Sequence, residues 1–586
     1  MNVPLRDKKV LHAGDPDLWL TTPDLSISVG ELADSVRTGD LHQNSELRVS
    51  AVEGIRTHQK VQSARRPPYV AEQTIKARCR TELGIIEIRG RMDGWVPAAG
   101  SIPPWIEEIK TSRRQGSAPN PSLIDTYTAQ LKLYAWMTAL AEGAEHINAQ
   151  LTFIHPDSLL ASPARFEWRI DELAQFAMGQ LQAFVECAIR EEERRKQRDR
   201  RLSALAYPMA TFRPGQRALA SVAYKAIVDA THQTWIEAPT GLGKTLGILY
   251  PALKAMPVSD IGKVFYFTAK VQGQKAAEEA LQQLRGGETL PLTSVTITAK
   301  RAVCPTPELP CDPAYCPRAK GFYDRLGEGL VELRKASRHQ HIHRATIERV
   351  SDSYALCPFE LNLEIARESD VVVADFNYGF DPRVRLQRLL EQPKTKPVFL
   401  VDEAHNLLTR SVDMFSSDLR LATLEAAQAV TAGSGHTEPD LNNLISELQQ
   451  LDNDGVHDTN WVAKPDAIQN IVSSASKWLL AMATKNDSSQ EAPILEAWWA
   501  TIRFVECFQS LTDDYEIIVE HSPETRILLS CVQPGQQLQR MFDSARSIVA
   551  FSGTLRPKRW LEARLATPPD AAWIGFSSPF PPDHQF

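Results

Sequence analysis

A chain of 586 residues, 43% apolar and 23% charged, has the composition of ordinary globular protein and length for several packed cores. Its 65 basic and 72 acidic residues give a formal charge of -7, which excludes whole-molecule attraction to nucleic acid and leaves only a local basic groove. No run of about 18 apolar residues occurs, and no apolar stretch follows a basic N-terminus, so a cytoplasmic chain with no membrane partner is expected.

Along the chain, "RVSAVEGIRTHQKVQ" has a helical period. "TELGIIEIRGRMDGWV" and "PWIEEIKTS" read as strands, with a join around Gly90, and "DTYTAQLKLYAWMTALAEG" returns to helix. Four short pieces stand on these elements. His58 lies in "GIRTH" and Asp93 follows a strand. Glu108 and Lys110 are two apart on the next strand and share a face. Gln130 and Tyr134 are four apart on one helix face. Two carboxylates and an imidazole suit one or two hard divalent cations, Mg2+ or Mn2+, and Lys110 suits orienting or activating a water that attacks a phosphodiester. Each piece alone is a common chance pattern, and a lone His is usually structural.

The mixed-sign run "REEERRKQRDRR" continues a helix and marks a boundary, giving a first domain 1–189 and a charged helical linker 190–206. Beyond it, the runs "QTWIEAPT", "KVFYFTAK", "SVTITAK", "DVVVADF", "PVFLVDEAH" and "RSIVAFSGTL" alternate with helical segments. Apolar strands bounded by helices indicate a parallel sheet covered on both faces. Residues 412–545 read as an inserted, mostly helical subdomain with an exposed loop at "TAGSGHTEPDLNN".

"IEAPTGLGKT" follows a strand and opens a helix, so Ala238, Pro239, Thr240, Gly241, Leu242, Gly243, Lys244 and Thr245 form a phosphate cradle for ATP. Ala238 stands where Gly is common. Lys244 reaches the β/γ-phosphates, and the Thr245 hydroxyl is placed for Mg2+. Asp402 ends an apolar strand, where its carboxylate can hold the metal. Glu403 beside it can orient and deprotonate the attacking water. A plain helix cap is the competing role for Asp402.

Of eight cysteines, Cys304, Cys311, Cys316 and Cys357 fall close together, three of them on the proline-rich loop "VCPTPELPCDPAYCP". A reducing compartment disfavours a disulfide, and the absence of two close pairs disfavours structural zinc. Cluster, zinc and unliganded thiols all stay open on spacing alone.

"APTGLGKT" with "DEAH" resembles a superfamily-two helicase motor. "FRPGQ" is similar to its adenine-contacting segment, with Gln216 as base reader. "FYFTAK" is similar to the motif that touches the DNA backbone. "FSGTL" is similar to the motif coupling hydrolysis to strand movement, with Ser552, Thr554 and His405 in that role. The cysteines between the second and fourth of these motifs, with Cys357 followed by Pro and Phe, resemble the XPD/DinG branch of iron–sulfur helicases. That resemblance implies that Cys304, Cys311, Cys316 and Cys357 hold a four-iron, four-sulfur (4Fe–4S) cluster. The N-terminal series resembles RecB-type PD-(D/E)xK nucleases, with Met92 where the usual Pro stands before the first Asp.

Together these resemblances imply an α/β chain. A restriction-endonuclease-like domain precedes a RecA-like parallel-sheet motor lobe, 207–411 plus 546–586, with an iron–sulfur insertion at 300–360 and the arch-like insertion at 412–545. The implied activity is ATP-dependent 5′→3′ DNA helicase with an associated nuclease, acting in repair on DNA that is single-stranded or has a single-strand junction. Two alternatives are a nuclease on an inactive ATPase scaffold and a non-catalytic DNA-binding protein. "SPF" near the end resembles the start of a second motor lobe, which a longer gene product or a second polypeptide would supply. Without that lobe's arginines, worth about 10³ or more in rate, poor ATP hydrolysis is expected.

Overall fold

A computed structural model gives the arrangement of residues 16–41, 51–111, 121–156, 159–286, 290–307, 309, 311–390, 396–433, 438–453, 461–484, 492–521 and 524–578. The chain separates into one unit of Met1–Arg194, Glu308–Leu326 and Ala483–Asn486, and a second of Arg195–Pro307, Gly327–Met482 and Asp487–Phe586.

The first unit runs β1 (Leu25–Ser28), α1 (Val29–Ala33), α2 (Ala51–Ala64), β2 (Val70–Thr81), β3 (Gly84–Val96), β4 (Trp105–Thr111), α3 (Pro121–Glu142), β5 (His146–Ile154), β6 (Ala161–Arg169) and the start of α4 (Ile170–Ser203). Ser28 accepts from the Glu31 amide while the Glu31 carboxylate accepts from the Ser28 amide, which closes the start of α1. The strands form a mixed sheet in the order β1-β3-β4-β5-β6, with β2 also on β3. β1 is parallel to β3 and β4 to β5, and the remaining pairs are antiparallel. Its core gathers Ile86, Ile88, Ile106, Leu131, Trp136 and Leu151.

Gly90, expected to join two strands, lies inside the single long β3. A Cβ there would stand 2.3 Å from Cε1 of Tyr134 and 2.7 Å from Cγ2 of Val29. The glycine therefore admits the α3 ring against the sheet and does not turn the chain. α4 continues unbroken through the charged run to Ser203, so most of the 190–206 linker is helix.

The second unit runs α5 (Gln216–Val228), β7 (Gln233–Glu237), α6 (Lys244–Ala255), β8 (Val264–Thr268), α7 (Val271–Arg285), β9 (Ser294–Thr296), β10 (Val371–Asp375), β11 (Val398–Asp402), β12 (Ser417–Arg420), β13 (Trp461–Ala463), β14 (Tyr515–Glu520), β15 (Arg526–Cys531), β16 (Ser547–Ser552) and β17 (Ala572–Gly575). Seven strands form one sheet in the order β17-β7-β16-β11-β8-β10-β9, every pair parallel. β8, β11 and β16 are buried along their whole length, as strands covered on both faces must be. Only β17 among these seven was not anticipated, because it is four residues long and only half-buried.

The 412–545 insertion is mostly helical and also carries strands that were not anticipated. Helices at Leu421–Gly433, Pro439–Asn453, Gln469–Thr484 and Ala492–Gln509 are present. A four-stranded antiparallel sheet, β12-β15-β14-β13, accompanies them. Its strands have three to six residues, too few to display a period against the surrounding helical pattern. Residues 434–437 of the expected exposed loop, and Pro579 and Phe580 of "SPF", lie outside the described residues. No helix among the described residues is long and apolar enough to cross a membrane.

Candidate active sites

In the second unit the loop between β7 and α6 turns at Gly241 and Gly243, whose φ angles of +85° and +77° are costly for any residue with a Cβ. Lys244 and Thr245 thereby occupy the first turn of α6, where unpaired amides favour an anion. Ala238 and Leu242 belong to the hydrophobic core, which explains why a methyl group is accepted at position 238. Gln216 is buried. Its amide donates to the Gly243 carbonyl at 3.0 Å and accepts from the Arg213 amide at 3.0 Å. The Arg213 guanidinium donates to the Gly241 carbonyl at 2.9 Å. Gln216 thus braces the phosphate loop through one N–H and its side-chain oxygen.

Asp402 ends β11, and burial pushes its carboxyl up to about 6. One oxygen accepts from the Tyr266 hydroxyl at 2.8 Å, the other from the Glu403 amide at 2.9 Å. Tyr266, fully buried on β8, also lies beside Thr245. Tyr266 therefore links the two residues expected to hold Mg2+, and the sequence offered no signal for it. Glu403 sits at a left-handed φ of +50°, a strained setting for a non-glycine residue. Ser552 donates to its carboxylate at 3.3 Å, and His405 Nδ1 lies 2.6 Å from Ser552 Oγ. The Thr554 amide donates to the same Oγ at 3.4 Å. Glu403, His405, Ser552 and Thr554 therefore stand together, as their motifs imply.

The first unit gathers the second set. His58 Nδ1 lies 3.3 Å from Asp93 Oδ1, and the Ile109 amide donates to Asp93 Oδ2 at 2.6 Å. Lys110 donates to Glu108 at 2.6 Å and to the Gln130 side-chain oxygen at 3.5 Å. The Gln130 amide reaches the Tyr134 hydroxyl at 3.5 Å. Burial pushes Glu108 up to about 7 against the opposing pull of Lys110. Glu107, Arg65, Tyr69, Gln150 and Thr152 form an adjoining network that sequence reasoning missed, since no spacing rule joins them.

Cys311 and Cys316 belong to the first unit, Cys304 and Cys357 to the second. All four are half-buried and outside any disulfide. Among the described residues, no group of three or more His, Cys, Asp or Glu is poised to hold a metal ion. The thiols suit iron in kind, but no assembled cluster geometry accompanies them, and no chemical step is derived from one.

Residues 311–424 match the DEAD_2 family model, a span that includes Cys311, Cys316, Cys357 and Asp402–His405. The chain is 20% identical to the ATP-dependent DNA helicase CHL1 of Candida glabrata over 244 residues, 36% of this chain and 29% of the relative. It is 21% identical to the helicase subunit XPD/RAD3 of the general transcription and DNA repair factor IIH of Saccharomyces cerevisiae over 266 residues, 40% of this chain and 33% of the relative. A solved XPD helicase aligns 62% of its own chain with 63% of this one at 15% identity and a TM-score of 0.41. The match thus spans about a third of the length of these curated relatives. Over a little more than a third of its own length the chain is similar to DNA helicases.

Proposed function

We propose that the second unit is the nucleotide-hydrolysing lobe of a 5′→3′ DNA helicase of the XPD type, acting in repair on single-stranded DNA. The observation that carries this reading is the buried hydrogen bond from Tyr266 to Asp402, beside Thr245 and a phosphate loop opening α6. The raised Asp402 carboxyl is short of positive charge, which suits a cation held with Thr245. Mg2+ would offset phosphate charge there. Lys244 faces the phosphates, and Glu403 orients the attacking water with Ser552 and His405 beside it. ATP hydrolysis with and without single-stranded DNA tests this. DNA should stimulate wild type, and Lys244→Ala should lower the rate about 10²-fold or more. Hydrolysis unchanged by the substitution would overturn it.

A second reading adds a metal-dependent nuclease to the first unit, supported by the pairs His58–Asp93 and Glu108–Lys110 and by the Ile109 amide between them on Asp93. Glu108, Asp93 and His58 are donors of the kind a hard cation, Mg2+ or Mn2+, takes, and such an ion would have to draw them together, since they form no ready metal site. Such an ion would supply charge stabilisation at a phosphodiester. Lys110 would hold Glu108 and orient water, with Gln130 and Tyr134 fixing Lys110. Asp93→Ala and Lys110→Ala should each lower cutting of linear single-stranded DNA about 10²-fold. Undiminished cutting by both would exclude the site.

Cys304, Cys311, Cys316 and Cys357 complete the reading as thiolate ligands of a 4Fe–4S cluster. Anaerobically purified protein should contain about four irons and four acid-labile sulfides per chain, and zinc in their place would refute the assignment.

A further inference from the structure

Glu107 adjoins Glu108 on β4, so its side chain leaves the strand on the opposite face. It is only 1% exposed, and a carboxylate so buried is costly unless fully partnered. Its partners are complete. Arg65 pairs with it through two nitrogens, the Tyr69 hydroxyl donates at 3.2 Å, Gln150 at 3.0 Å and Thr152 at 2.6 Å.

The same group of residues grips Asp93 from behind. The Asp93 carbonyl accepts from Gln62 Nε2 at 3.0 Å and shares the single Tyr69 hydroxyl hydrogen with Glu107, at 3.2 Å from each. Gly94 makes room for this contact, since a Cβ there would stand 2.0 Å from the Tyr69 oxygen. Gln62 and His58 are four apart on one face of α2, and Arg65 directly follows the helix. α2 is thus fastened at its C-terminal end to β3 by Gln62 and to β4 by Arg65, with His58 one turn back at 3.3 Å from the Asp93 carboxylate.

We propose that Glu107 is a positioning residue for the nuclease site. Through Arg65 and Tyr69 it sets the lie of α2, so that His58 meets Asp93. This rests on the nuclease reading above, but the geometry it claims can be measured without cutting. Glu107→Gln preserves shape and removes the charge that holds Arg65. Amide exchange across residues 54–65 should quicken about tenfold or more in this variant, with α4, which makes no bond to Glu107, unchanged. Cutting of single-stranded DNA with Mn2+ should fall about tenfold in kcat, with KM for DNA unaltered, because His58 is misplaced while DNA contacts remain. In a His58→Ala background the same substitution should cost nothing further, since coupled residues are non-additive.

Unchanged exchange in 54–65 overturns the proposal, as does an equal loss of cutting with and without His58. If wild type does not cut, the nuclease reading fails and exchange alone decides the positioning claim. Should Glu107→Gln fail to fold, Tyr69→Phe removes only the hydroxyl that ties Glu107 to Asp93, and the same outcomes apply.

Discussion

Tyr266 condenses the proposed nucleotide site into one hydroxyl. It donates to Asp402 at 2.8 Å from a fully buried position and meets Thr245, so removing it leaves a buried carboxylate with one fewer donor. Tyr266→Phe keeps the ring and its edge contact with Phe551, with centroids 6.1 Å apart. The variant should therefore fold and still bind nucleotide without Mg2+. The Mg2+ concentration for half-maximal ATP hydrolysis should rise severalfold, about 1–3 kcal/mol in total being at stake. A Mg2+ dependence equal to that of wild type would show that the hydroxyl merely fills space. The sequence displayed this tyrosine only as one more apolar strand residue. Lys244, Thr245 and Asp402 were legible because each has fixed chemistry within a contiguous motif. Tyr266 was not, because its role exists only where β8 lies beside β11.

At the level of elements, the segment behind β9 shows how a short strand is held. Ile342 bridges Val295, and His341 is buried with Nδ1 at 2.9 Å from Ser294 Oγ and Nε2 at 2.8 Å from Thr296 Oγ1. Burial, with Arg285 and His343 nearby, pushes the imidazole down to about 3, while Glu278 lies 3.9 Å away. In the unfolded chain it titrates near 6.5, so between these values the unfolded state holds the extra proton. Stability from this group is complete above about pH 6.5 and is lost as pH falls toward 3. Between pH 7 and 5.5 that amounts to about 1 kcal/mol. Urea unfolding should show wild type losing that much more than His341→Gln over this interval; parallel losses would mean that the imidazole is protonated in the fold. The six apolar runs of the parallel sheet were legible because strands buried on both faces need no alternation. The sheet within the 412–545 insertion was not, because β14 and β15 are six residues each and are stabilised by pairing with one another.

For the whole molecule, the sequence by itself determined the local chemistry. A glycine-turned loop before a lysine, a carboxylate at the end of an apolar strand and four thiols near a proline-rich turn are properties of neighbouring residues, and backbone sterics or donor chemistry suffices to read them. It also determined that a parallel sheet would carry the nucleotide loop, since burial on both faces is written into composition. Only the tertiary structure decided how buried charge is answered: Tyr266 for Asp402 across 136 residues, Arg65 for Glu107 across 42, and Gln216 turned onto the loop across 27. It also decided that Gly90 serves packing and not a turn. The reason is common to all of these. The cost of burying a polar group depends on its complete surroundings, and those surroundings are assembled from segments that no local period connects.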